Sequence, residues 1–98
     1  PACFFMVMEA LEAAAVDAGL DQKTAQLLTQ ETALGAAKMA LESTESAAVL
    51  RQRVTSPGGT TERAIEVLEE QGLRAILQQA LSAAKERSVE LSDELGGS

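Results

Sequence analysis

Alanine supplies much of the apolar content of this chain, and long β-branched runs are few. Alanine is the strongest helix former and contributes nothing that a pleated, half-buried surface needs, so the chain is constrained toward closely packed helices and away from sheet. There is no Tyr or Trp, and the two aromatics, Phe4 and Phe5, lie together near the start. A core built mainly of alanine buries little area per residue, so burial within one copy contributes little free energy for 98 residues. A partner surface is expected to supply the remainder, with self-association as the default.

Helical spacing divides the chain into five segments. Residues 2 to 18 place Phe4, Met8, Leu11 and Ala15 on one stripe, widened by Phe5, Val7 and Ala14. Pro1 suits a helix start, Gly19 a helix end, and Asp21 the cap of the next helix. That second helix, residues 22 to 43, carries a seam of mostly small residues through Ala25, Leu28, Thr32, Gly35, Ala36 and Met39. Gly35 costs about 1 kcal/mol relative to Ala inside a helix, which predicts close approach of another helix across Ala33, Gly35, Ala36 and Ala37. Residues 43 to 46 form a break with Thr44 or Ser46 as cap, and a short helix covers 47 to 53. A fourth helix covers 61 to 71, with Ala64, Ile65 and Leu68 on its buried side, and Gly72 breaks it. The fifth runs from 73 to about 91, and residues 92 to 98 read as a frayed tail. The sequence therefore predicts one small all-α domain of about five helices, a helical bundle that dimerises.

Between the third and fourth helices lies V-T-S-P-G-G-T-T, residues 54 to 61. Gly58 and Gly59 let the backbone bend sharply and let a ligand come close. The amides that follow are unpaired donors at a helix start, where the dipole favours negative charge. With hydroxyls at Ser56, Thr60 and Thr61, this is a ready site for a carboxylate or phosphate. A second reading fits the same residues: Ser56, Gly59 or Thr60 caps the helix, and Glu62 is an acid in its first turn. Arg51 and Arg53 flank the stretch in sequence and either add positive potential or form an exposed face. Lys38, Lys85, Glu86 and Arg87 read as solvated or salt-bridged side chains.

Composition excludes several functions. A net charge of −7 lacks the basic footprint that nucleic acid requires and disfavours an anionic membrane surface. The apolar start at residues 2 to 8 is too short to span a bilayer, lacks a basic lead, and is followed by Glu9 and Glu12, so no targeting segment is expected. A lone Cys3 fits a reducing cytoplasm and reads as a small core residue. Without histidine, no Cys/His zinc site or histidine-dependent triad can be built. There is no G-x-G-x-x-G or Walker run.

L-R-Q-R-V-T-S-P-G-G-T-T-E-R-A-I-E-V-L-E, residues 50 to 69, resembles the signature of pyrroline-5-carboxylate reductases. Pro1-Ala2, Phe4-Phe5 and Glu9-Ala10-Leu11 resemble the first helix of that family's C-terminal domain. T-A-L-G-A-A-K-M, residues 32 to 39, resembles its long second helix, and residues 69 to 73 the start of its last. Cys3 departs from the family, which usually carries an aromatic there. The chain also begins where a whole domain and a Gly-Ser-Gly-type lead-in would precede it, and around Thr44 and Glu45 the match is unclear.

The resemblance implies a 6-phosphogluconate-dehydrogenase-like C-terminal domain that builds a homodimer, in some relatives within a ring of dimers, and holds the substrate. NAD(P)H would sit in a preceding dinucleotide-binding domain, and the fragment by itself would bind none and be inactive. The resemblance assigns Ser56 and the amides of Gly58, Gly59, Thr60 and Thr61 to the substrate carboxylate. It places the Thr61 hydroxyl near the ring nitrogen as the catalytic group. A self-associating helical module without a ligand is the alternative; it accounts for the alanine seam but not for three hydroxyls and two glycines at one helix start.

Overall fold

The computed structural model describes residues 1–96. Five α-helices are present: α1 (Ala2–Asp17), α2 (Gln22–Glu42), α3 (Ala47–Arg53), α4 (Thr60–Glu70) and α5 (Leu73–Gly96). No strand occurs among the described residues. The chain divides into two compact units, Pro1–Arg53 and Val54–Ser98.

In the first unit α1 and α2 pack as a helical hairpin, and α3 packs on α2. The turn of the hairpin follows from Gly19 and Asp21. Gly19 has φ +114°, a conformation that disfavours any residue with a Cβ. Its amide donates to the Val16 carbonyl and that of Leu20 to the Ala15 carbonyl, which satisfies the last acceptors of α1 in the Schellman pattern. Asp21 then caps α2, accepting from the Thr24 amide at 2.8 Å and from the Thr24 hydroxyl at 3.1 Å. These two bonds, the amide first, hold the Asp21 carboxyl below its ordinary pKa of 3.8. Ser46, one of the two caps the sequence offered, caps α3 through the Val49 amide at 3.3 Å. Ser43 instead accepts from the Glu45 amide at 3.0 Å within the break.

In the second unit α4 and α5 pack on each other across Gly72. Arg74 reaches back to Glu69 at 2.7 Å. Both side chains are exposed, so the pair contributes only a fraction of a kcal/mol, on the order of 0.2–1. The fourth helix begins at Thr60, one residue earlier than the spacing predicts. The fifth runs past Leu91 to Gly96, so the tail expected from Ser92 is helical as far as Gly96; residues 97 and 98 lie outside the described residues. Two features explain the extension. No proline interrupts the segment, and Arg87 pairs along the helix with Glu90 at 2.9 Å and Glu94 at 3.6 Å.

The modest core expected from composition is smaller still. Ala25 is the one buried residue among those described. Of the first-helix stripe, only Met8 and Ala15 are half-buried, together with Glu12, while Phe4 is 78% exposed. Cys3 is exposed rather than in a core. On α4, Ile65 is half-buried, but Ala64 and Leu68 are exposed, so the helix has no buried side within one copy. A Cβ built on Gly35 would meet nothing within 4 Å, so the close approach that its seam predicts is not made inside the first unit. Lys38 and the Lys85–Arg87 stretch are exposed, as their pattern predicts.

The physical reason is the scarcity of contact partners. A folded monomer of this mass exposes about 5,300 Å². This chain exposes 8230 Å², with Phe4, Leu34, Leu41 and Leu81 among the large apolar side chains in solvent. Large apolar side chains left in solvent are what an obligate homodimer interface covers.

Candidate functional site

Ser56 to Glu62 form a turn that runs straight into α4. The Ser56 carbonyl accepts from the Gly59 amide at 3.1 Å, closing a four-residue turn with Pro57 and Gly58 at its centre. Pro57 fixes its own φ, and Gly58 sits at φ +72°. That residue order is the one a type II turn demands. Gly59 relieves a tight approach. Its φ of −87° suits any residue, but a Cβ there would lie 3.2 Å from the Ser56 carbonyl oxygen and 3.4 Å from the Ser56 Cβ.

Gly59 is the N-cap of α4, and no side chain caps the helix. The capping reading of Ser56 and Thr60 is therefore not realised, since neither hydroxyl accepts from a first-turn amide. Thr60 and Thr61 occupy the first two helical positions with exposed side chains, and Ser56 is exposed beside the turn. The first amide of this region to find a helical acceptor is that of Arg63, which donates to the Gly59 carbonyl at 3.3 Å. The amides of Thr60, Thr61 and Glu62 have no acceptor among the described residues. Three N–H groups without an acceptor thus lie at one exposed helix start, with Ser56, Thr60 and Thr61 exposed around it and the positive end of the α4 dipole behind them.

The two glycine amides belong to the scaffold. Gly59 donates within the turn, and Gly58 donates to the Glu62 carboxylate at 2.9 Å. The sequence pattern counted Glu62 only as a first-turn acid. Its spacing, three residues after the N-cap, is that of the acidic member of a capping box, and this was the signal for its reach back across the turn. Arg53, for which the sequence offers added potential or an exposed face, is exposed and paired with Glu45 at 3.4 Å inside the first unit. Among the described residues no group of three or more acidic or cysteine side chains is arranged to hold a metal ion, and no helix is long and apolar enough to cross a membrane.

An all-α chain with far more apolar surface than core, and a proline-glycine turn that opens the amides of a helix, defines a helical association domain. Residues 1–91 match the family described as pyrroline-5-carboxylate reductase dimerisation. The chain belongs to that family. It is 52% identical over 96 residues to a pyrroline-5-carboxylate reductase of Pseudomonas aeruginosa, covering 98% of this chain and 35% of that enzyme. Among solved structures, a pyrroline-5-carboxylate reductase from Coxiella burnetii superposes with a TM-score of 0.89 at 57% identity, over 93% of this chain and 34% of the other. The pyrroline carboxylate reductase of Plasmodium falciparum, solved with NADP bound, superposes at 0.87 with 30% identity, over 90% of this chain and 35% of the other. The chain spans about a third of the length of these relatives.

Proposed function

We propose that this chain is the dimerisation and substrate-binding domain of a cytoplasmic pyrroline-5-carboxylate reductase, which reduces 1-pyrroline-5-carboxylate to L-proline with NAD(P)H. The family match across residues 1–91 carries the reading. The relatives' names supply the activity, and the turn of residues 56–62 supplies a place for an anionic substrate. A homodimer is the working unit, because the apolar surface left open by one copy is that of a chain completed by a second. A ring of such dimers is the higher assembly that the resemblance allows.

The sequence has no G-x-G-x-x-G. We assign NAD(P)H, the hydride source, to the preceding dinucleotide-binding domain that the resemblance implies. What this domain supplies acts on the substrate's other atoms. The substrate carboxylate would accept from the Ser56 hydroxyl and from the open amides of the α4 start, where an anion gains from the helix dipole. Gly58 and Gly59 hold the turn that presents those donors. The Thr61 hydroxyl would lie at the ring nitrogen. Reduction of the C=N bond adds hydride at carbon and a proton at nitrogen, and a hydroxyl there either relays that proton from water or polarises the bond.

The test is kinetic, in the complete reductase containing this sequence. Thr61→Ala should lower kcat at least tenfold with little change in Tm, because Thr61 makes no cap bond whose loss would destabilise α4. Ser56→Ala should chiefly raise the KM for the imine. Normal kcat in Thr61→Ala, or a wild-type enzyme that does not reduce the imine, would count against the reading. The latter result would favour the ligand-free association module.

A further inference from the structure

We infer that Glu62 is a positioning residue for the substrate carboxylate, holding the Ser56–Gly59 turn in place from the first turn of α4. This rests on the site proposed above and adds a residue to it. The observation is the bond from the Gly58 amide to the Glu62 carboxylate at 2.9 Å. Glu62 is half-buried, whereas Thr60, Thr61 and Arg63 around it are exposed.

Gly58 is the residue of the turn most in need of an anchor. It has φ +72°, and glycine has the largest conformational freedom to lose on ordering. The Gly59 amide already closes the turn on Ser56, and the Gly59 carbonyl takes the Arg63 amide. The Glu62 carboxylate adds the third tie. With it the turn is bound to α4 at both glycines, so the Ser56 hydroxyl and the amides of Thr60 and Thr61 keep one relative geometry before substrate arrives. Groups held in the binding geometry beforehand lose less freedom on binding, which appears as affinity.

A carboxylate beside an anion site also repels its ligand, so the two effects have opposite signs and can be separated by substitution. Glutamine keeps an acceptor oxygen at the same reach and removes the charge. Alanine removes both. If fixing the turn dominates, loss of the acceptor weakens substrate binding even though a repelling charge has gone.

The experiment measures steady-state constants for Glu62→Ala and Glu62→Gln in the complete reductase, with 1-pyrroline-5-carboxylate and the nicotinamide cofactor varied separately. The expected result for Glu62→Ala is a KM for the imine raised about tenfold, with kcat and the cofactor KM within twofold of wild type. Glu62→Gln should restore the imine KM to wild type or below. An imine KM in Glu62→Ala within twofold of wild type overturns the inference. So does a Glu62→Gln enzyme as impaired as Glu62→Ala. Should Glu62→Ala precipitate, Glu62→Ser carries the same expectations, since its side chain is too short to reach the Gly58 amide. If Ser56→Ala and Thr61→Ala leave every constant unchanged while Glu62→Ala alone raises the imine KM, the proposed substrate contacts are wrong but the clamp stands. If all three are inert, both fall.

Discussion

Gly35→Leu separates what one copy of the chain needs from what the dimer needs. Within the protomer the direction of a Cβ at Gly35 is open, with nothing inside 4 Å. Replacing glycine by leucine inside α2 should favour the helix by about 0.8 kcal/mol, since leucine is nearly as good a helix former as alanine. If the small-residue seam at Gly35, Ala36 and Ala37 lies against a second copy, the same side chain overpacks the contact by about 1–3 kcal/mol. In a two-fold dimer the contact occurs twice, so association weakens by roughly 2–6 kcal/mol, on the order of 30-fold to 10⁴-fold in Kd. The two contributions have opposite signs and different observables. Sedimentation equilibrium of the purified chain should show a dimer at micromolar concentration for the wild type and a shift toward monomer for the variant. A variant that dimerises as before and melts higher would mean that Gly35 faces solvent in the assembly. A wild type that sediments as a monodisperse monomer would refute the argument from exposed area altogether.

Stability should depend on concentration: for a dimer of 98-residue chains, hundredfold dilution should lower Tm by about 7 °C from ordinary unfolding entropies, and a constant Tm would mean folding is independent of association. Asp21 should contribute to the acid sensitivity of the first unit. Its carboxyl is held below the ordinary 3.8 by the Thr24 amide and hydroxyl, so its cap is fully present above about pH 4. That contribution is lost as pH falls through the lower folded-state value. Asp21→Asn, which keeps a capping oxygen without the charge, should therefore show a flatter loss of Tm as pH falls below about 4. An identical slope in both proteins would exclude Asp21 as a source of it.

The features legible in the sequence were those decided by a few neighbouring residues. Gly19 and Asp21 punctuate α1 and α2 through main-chain conformation and a cap three residues long, and both are where the pattern placed them. The bounds of α3 follow from Ser46 and from the Val54–Pro57 stretch in the same way. The Pro57-Gly58 turn could be read because only those residue types suit its backbone. What the sequence left open depended on how side chains meet across elements or across the turn. Spacing marked Phe4, Leu11 and Leu68 as apolar faces, but periodicity gives no information about whether the surface opposite belongs to the same chain. The tertiary structure leaves them exposed, with Ala25 alone enclosed among the described residues. The same limit applies at the turn. The choice between capping hydroxyls and open amides depends on where the Ser56, Thr60 and Glu62 side chains lie in space. There the Gly58 amide goes to Glu62, and the amides of Thr60 and Thr61 remain open.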